Sequence, residues 1–334
     1  MALNPSGPMS IGGSIVGQSI NLELGLAADA NSSIGQANFR ELAKIPSGVI
    51  SLSDFYGKSN VTTIEITENR TQYVLSPAVV PDYVAGETKV QLNIGEDVYL
   101  YATNTSVAAL TVTGFVAGDE VTIVNEGYIM GMGGQGGFLD SFPIYGYGEP
   151  GGNAISIFFP VTIENNRYIC GGGGGGNGDF NFDGAGGGAG GGKGGNSGAA
   201  PITGLDAGPG GPPGMPGGDG LNTGGGGGGR IVPGIGGLGG VFNSLMGKGG
   251  GAGGGGAAAQ EEEFYYADGG AGGTGGSPGN TGGLPNWGSA GGGGWGATGG
   301  KSYYPSDNHG GKAIALNGYT VTRYGPGTYY GAIS

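Results

Sequence analysis

The chain is short of the residues from which most active sites are built. Its 334 residues include one cysteine, Cys170, and one histidine, His309. An intramolecular disulfide framework is therefore impossible, and multi-histidine metal sites are excluded. Charged residues make up only 11%, with 12 basic against 25 acidic side chains and a net charge of −13. So acidic a chain is a poor nucleic-acid binder. No apolar run approaches the ~18 residues of a membrane span, so membrane insertion is not expected. The opening Met-Ala-Leu-Asn-Pro-Ser has neither a charged nor an apolar leader region, so no secretory signal is expected.

What the chain has instead is glycine, 89 of 334 residues, roughly four times the usual ~7%. It is unevenly spread, with 12 glycines in residues 1–126 and 77 in residues 127–334. The shift places a boundary near 125–127. Residues 1–60 read as a small module. Ile20, Leu22, Leu24 and Leu26 alternate as in a strand. Ser33 and Gln36 form a capping-box pattern that opens a helix carrying Ile34, Ala37, Leu42 and Ile45, stopped by Pro46. So few large apolar side chains bury little surface, which suits a module that docks on a partner. Residues 61–125 carry β-branched alternating runs at 61–67, 90–94, 98–101, 109–113 and 121–124. A small antiparallel sandwich or barrel is the expectation.

Two internal repeats make architecture of the glycine-rich part. Residues 121–134 align with 161–174 at nine of fourteen positions, and Gly151-Gly-Asn-Ala-Ile-Ser-Ile157 is echoed by Gly310-Gly-Lys-Ala-Ile-Ala-Leu316. Runs of six glycines occupy 171–176 and 224–229. With no Gly-X-Y period, collagen fails. Extended left-handed helices of three residues per turn remain, joined side by side by backbone hydrogen bonds. Between the glycine runs lie aromatic connectors that a glycine body cannot bury. Exposed aromatics on a rigid body mark binding surfaces, though covering the lattice ends would also account for them.

These phrases bring a known family into view. Ser6-Gly-Pro, the Ser33–Leu42 segment and Pro46-Ser-Gly-Val-Ile-Ser-Leu-Ser-Asp-Phe-Tyr-Gly-Lys58 resemble an N-terminal module of bacteriophage tail and tail-fibre proteins. "VNEGYIMGMGGQGG", "PGGNAISI", "VTIENNRYICGGGGGG" and "GGKAIAL" resemble the glycine-rich receptor-recognition domain of adhesins at the tips of T-even-type long tail fibres. The resemblance implies a non-enzymatic virion adhesin without cofactor or metal, assembled in the bacterial host cytoplasm. Its fold would be mostly β and irregular: a virion-attachment module at 1–60, a β-sandwich-like spacer at 61–125, and a polyglycine II sandwich at 126–334. Its loops would contact an outer-membrane protein or surface glycan. Carried over by position, the contact residues are Phe138, Phe142, Tyr145, Tyr147, Phe180, Phe182, Met215, Phe242, Met246, Phe264, Tyr265, Tyr266, Trp287, Tyr303 and Tyr304. Residues 1–60 depart from the fibre-attachment domain of those adhesins, so they would grip other tail proteins on a fibre, tail tip or baseplate. A homotrimer and a monomeric cap both suit a fibre tip. The rival reading is a purely structural virion part touching only other virion subunits.

Other motifs fall away. The Gly-x-Gly-x-x-Gly patterns lack the strand, helix and downstream acid of a dinucleotide site. Gly300-Lys-Ser302 has Trp295 where a phosphate loop needs glycine. His309 near Asp307 has no nucleophile elbow, and Cys170 reads as a small apolar filler. Asp179, Asp183, Asp206 and Asp219 match no calcium-loop spacing. An ice-binding surface would be regular and lined by Thr and Ala, and a depolymerase would need paired carboxylates that sequence cannot place together.

Overall fold

The computed structural model describes the chain except Met1 and residues 138–145, 179–184, 196–206, 220–224, 233–235, 237–240, 243–247, 250–272, 274–275, 278–288 and 302–306. It is mostly β with few helices. Two compact units share the chain: Met1–Ile64, Ala78–Leu92 and Val116–Thr122 form one, and Glu65–Pro77, Asn93–Phe115 and Ile123–Ser334 the other.

In the first unit, Ile20–Glu23 is a single helical turn, α1, with Ser19 Oγ accepting from Leu22 N. The alternation at 20–26 thus reads out as a turn, not a strand. Four apolar residues at spacing two fit a strand in isolation, but Ser19 supplies an N-cap, and Gly25 follows with φ +71°. Helix α2 covers Ala37–Ala43, three residues later than a Ser33 cap would start it, and ends on Lys44 in the left-handed region. Gln36 Oε1 still accepts from Ser33 N at 3.2 Å. The reciprocal capping box lies elsewhere, between Ser51 and Asp54, at the 3-10 turn Leu52–Phe55. Leu3, Ile20, Phe39, Leu42, Ala43 and Phe55 form a small core. Asp119 anchors the neighbouring loops. It accepts from the amides of Gly86, Thr88 and Val116 and from the Tyr83 hydroxyl at 2.7–3.2 Å.

The strands in chain order are β1 Val61–Ile66, β2 Arg70–Thr71, β3 Tyr73–Leu75, β4 Lys89–Ile94, β5 Tyr99–Tyr101, β6 Leu110–Val112, β7 Glu120–Asn125, β8 Tyr128–Met130, β9 Ile155–Ile157, β10 Val161–Asn165, β11 Tyr168–Cys170, β12 Val241–Phe242, β13 Lys248–Gly249, β14 Ile314–Ala315, β15 Val321–Tyr324 and β16 Thr328–Tyr330. Apart from the β12–β13 hairpin they fall into three sheets, ordered β1-β4-β7-β10-β15, β2-β5-β8-β11-β16 and β3-β6-β9-β14. Within the second unit the chain alternates between the second and third sheets, each return laying a strand beside the one before, so the two ladders stack as rungs of a solenoid. Pairing is parallel along the second and third sheets and between β10 and β15. The expected antiparallel sandwich is corrected here. Period-two alternation marks one buried face and carries no information on strand direction.

Both sequence repeats are stacked rungs. Tyr128 pairs with Tyr168 and Met130 with Cys170, which is the 40-residue repeat in register. Ile155 pairs with Ile314, which is the second repeat. Inside, Leu100, Ile129 and Ile169 are fully buried. At one corner Asn125 Nδ2 donates to Asn165 Oδ1 at 2.8 Å, and Asn165 Nδ2 donates to Thr328 O.

Candidate receptor-contact surface

The glycine segments run on from the strands. Their backbone bonding recurs every third residue. Gly172, Gly175 and Gly178 donate to Gly152, Glu149 and Gly146; Gly173 and Gly176 to Ala189 and Gly186; Gly174 and Asn177 to Ala297 and Gly300. The carbonyls turn to other neighbours. Gly171, Gly174 and Asn177 accept from Gly296, Gly293 and Ala290, and Gly173 and Gly176 from Gly134 and Gly137. Gly172 accepts from Gly311 N, and Gly175 from Asn308 Nδ2. Among the described residues, segment 171–178 is thus enclosed by six others. No side chain fits between them: a Cβ on Gly172 would lie 1.9 Å from Met132 O, and one on Gly175 1.9 Å from Gln135 O. Side chains recur at the rim instead, again at spacing three, as in Tyr147/Pro150/Asn153 and Thr298/Lys301.

The lattice has two different ends. At the strand end it is anchored by side chains. Trp295 is fully buried among Met130, Cys170 and Ala189, with Tyr99, Tyr101, Tyr128, Tyr168, Val232 and Tyr330 packed around them. Tyr99, Tyr128, Tyr168 and Tyr330 stack in a row with centroids 4.6, 5.8 and 6.4 Å apart. Arg230, 8% exposed, donates to the carbonyls of Gly190, Gly211 and Ala102 at 2.9–3.3 Å and lies over the Tyr101 ring. Burial lowers its proton affinity and Tyr101 partly restores it; an arginine stays charged regardless. Cys170 is buried and its thiol is pushed well up by desolvation, so it is inert packing.

At the opposite end, stems meet. Gly178 N donates to Gly146 O, Ala185 N to Gly137 O, Gly195 N to Ala185 O, Gly225 N to Gly195 O and Asn177 N to Gly300 O. These residues flank connectors 138–145, 179–184, 196–206, 220–224 and 302–306, so the chain leaves and re-enters the lattice on five occasions at one end. Connector 278–288 returns there as well, since Ala290 N donates to Asn177 O. Buried asparagines close this end. Asn308 Nδ2 donates to Gly175 O and Gly300 O, and Asn177 Oδ1 accepts from Gly148 N.

Of the contact residues expected from sequence, Phe138, Phe142, Tyr145, Phe180, Phe182, Met246, Phe264, Tyr265, Tyr266, Trp287, Tyr303 and Tyr304 lie outside the described residues. Tyr147 follows the Gly146 stem and is half exposed. Phe242 sits in β12, paired with Lys248 of β13. Met215 is exposed but belongs to the strand end, where its carbonyl accepts from Arg230 N. His309 Nδ1 and Asp307 Oδ1 are 2.9 Å apart and both exposed. Sequence reasoning missed Asn177, Asn308, Arg230 and Trp295; a large side chain ending or interrupting a glycine run was the available signal for Asn177, Arg230 and Trp295, and Asn308 carried none.

The solenoid thus continues into a glycine-rich lattice with five connector stems at its far end, while Ile231 and Val232 lead into residues 233 onward from the strand end. The model of the family described as phage tail fibre adhesin Gp38 matches residues 61–230, just over half of the chain, and the chain belongs to that family. This bears out the resemblance to tail-fibre tip adhesins and associates the chain with the virion tail fibre. No curated protein matches the chain. Among solved structures, the gp37-gp38 adhesin tip complex of the bacteriophage S16 long tail fiber is similar at 22% identity, with 97% of this chain and 100% of that chain covered and a TM-score of 0.43.

Proposed function

We propose that the chain recognises the host cell surface through the connectors rooted at the far end of the lattice. The observation that carries this reading is the convergence of the five connector stems. A binding surface needs several variable segments held close together and held rigid, and rigidity lowers the ordering cost of association. The lattice segments are proposed to be polyglycine II helices. The three-residue recurrence of their hydrogen bonds supports this, because that helix has three residues per turn. At ~3.1 Å per residue, the eight residues 171–178 would carry the connectors about 25 Å beyond the strands.

In this reading residues 61–125 begin the rungs, residues 126–334 build and display the recognition surface, and residues 1–60 attach the chain to other tail proteins. The partner on the host is an outer-membrane protein or surface glycan, and copies on one virion add avidity. The chain acts by binding, without catalysis or cofactor, and is assembled into particles in the host cytoplasm. The test is adsorption by virions whose chain has connectors 138–145 and 302–306 replaced by short glycine links. Particles should assemble and fail to adsorb. Unchanged adsorption would leave the chain as a purely structural part of the tail.

A further inference from the structure

We propose that the strand rungs are the template that sets the register of the glycine lattice, which forms after them and closes from the strand end outward. A glycine run cannot choose its own alignment. Within 171–176 every residue is the same, so nothing inside the run distinguishes one alignment from another; only its flanks, Cys170 and Asn177, do. Glycine also loses the most conformational entropy on ordering, so an unguided run has many alignments and little to separate them. Proper alignment has to come from segments with distinguishable side chains.

The strands provide it by continuing directly into the lattice. Along β8 and β11, Tyr128 faces Tyr168 and Met130 faces Cys170. The same two segments then stay together as Gly131 N donates to Cys170 O, Gly134 N to Gly173 O and Gly137 N to Gly176 O, without a change of offset. Along β9 and β14 the same holds in the other direction. Ile155 N donates to Ala313 O, Ala154 N to Lys312 O and Gly151 N to His309 O, again at constant offset. In the rungs a slip is costly. It would move Ile129 and Ile169, both fully buried, off the inner face, and would break the Asn125–Asn165 bond. Once the strands are paired, the four lattice segments that continue from them, 131–137, 146–154, 171–178 and 308–313, start opposite their partners, and the remaining segments add to that aligned frame. The outer asparagines, Asn177 and Asn308, then close the finished end.

The proposal holds whether or not the connectors bind a receptor, and its test reads folding alone. Full-length chain is refolded from denaturant and pulse-labelled by hydrogen exchange. Strand amides of 128–130, 155–157 and 168–170 should be protected before those of 172–178, and residues near 172 before those near 178. Simultaneous protection, or glycine amides first, overturns the proposal. Native-state exchange of two variants supplies a second reading. Ile169→Val, a single methylene removed from the template, should speed exchange about fivefold in both 168–170 and 172–178. Asn308→Ala should speed exchange at 175–178 and 300 and leave 168–170 at the wild-type rate. Faster exchange at 168–170 with wild-type protection of 172–178 in Ile169→Val, or faster strand exchange in Asn308→Ala, contradicts the template role. If Ile169→Val changes no amide, the order seen by pulse labelling decides.

Discussion

Gly175→Ala is a severe perturbation for a single added methyl. The new Cβ would lie 1.9 Å from Gln135 O and 2.5 Å from Gln135 C. Real Cβ contacts do not fall below 3.0 Å, so segment 131–137 must retreat by at least ~1.1 Å. That segment is tied to the same glycine run by Gly134 N to Gly173 O at 2.8 Å and Gly137 N to Gly176 O at 2.9 Å. Displaced that far, both bonds pass out of range. Each buried amide left unanswered costs ~1–3 kcal/mol. The entropy removed from the unfolded chain returns only ~0.4–1 kcal/mol. The net loss is about 2–5 kcal/mol. Gly35→Ala is the control, because a Cβ added at Gly35 meets nothing within 4 Å and its φ is not positive; it should be neutral or stabilising by up to ~1 kcal/mol. Denaturant unfolding followed by hydrogen exchange at 171–178 separates the lattice from the rest. If Gly175→Ala unfolds its lattice at the same denaturant concentration as Gly35→Ala, close backbone packing is not what holds these segments together.

Four further outcomes follow from named contacts. Burial works to raise the Asp119 carboxyl, but the Val116, Thr88 and Gly86 amides and the Tyr83 hydroxyl outweigh it and hold the group below its ordinary value of 3.8. The stability it confers is therefore full above that value and is lost as pH falls through the lower folded one. Asp119→Asn should unfold more easily at pH 7 and show a flatter acid limb. Tyr83, pushed up to about 12 mainly by its bond to Asp119, should not ionise in a spectrophotometric titration until well above pH 10. Arg230→Met leaves the carbonyls of Gly190, Gly211 and Ala102 unanswered and should cost about 3 kcal/mol by denaturation, relief of guanidinium desolvation offsetting part of the loss. Arg323 occupies in the last rung the place that buried Ile163 holds in the rung before and covers the Tyr329 ring at 5.3 Å. A cation on an edge strand disfavours pairing with the edge of another copy, so Arg323→Leu should self-associate with rising concentration in sedimentation velocity.

The elements of this fold were more legible in the sequence than their arrangement. The repeat joining 121–134 to 161–174 is a register written in residues, and the structure stacks Tyr128 on Tyr168 as that repeat aligns them. Strand direction was not readable, because Val90, Leu92 and Ile94 would face inward in either a parallel or an antiparallel sheet. Helix α1 was misread as a strand for a related reason: four residues are too few for the 3.6 and 2.0 periods to separate. The gathering of stems was invisible, since residues such as Gly178 and Gly146, or Gly225 and Gly195, meet through backbone alone and carry no side chain to announce it. Trp295 and Arg230 hold the strand end for the complementary reason, being the bulky residues a glycine lattice can accept only where it stops.

The most direct test of the account is saturable binding of the labelled full-length chain to host cells, measured beside a chain with connectors 138–145 and 302–306 shortened and its exchange protection at 171–178 intact. The account predicts saturable binding by the first, loss of at least tenfold in affinity by the second, and competition by the first against phage adsorption. Equal binding by both chains, or none by either in multimeric form, would contradict recognition through the connectors.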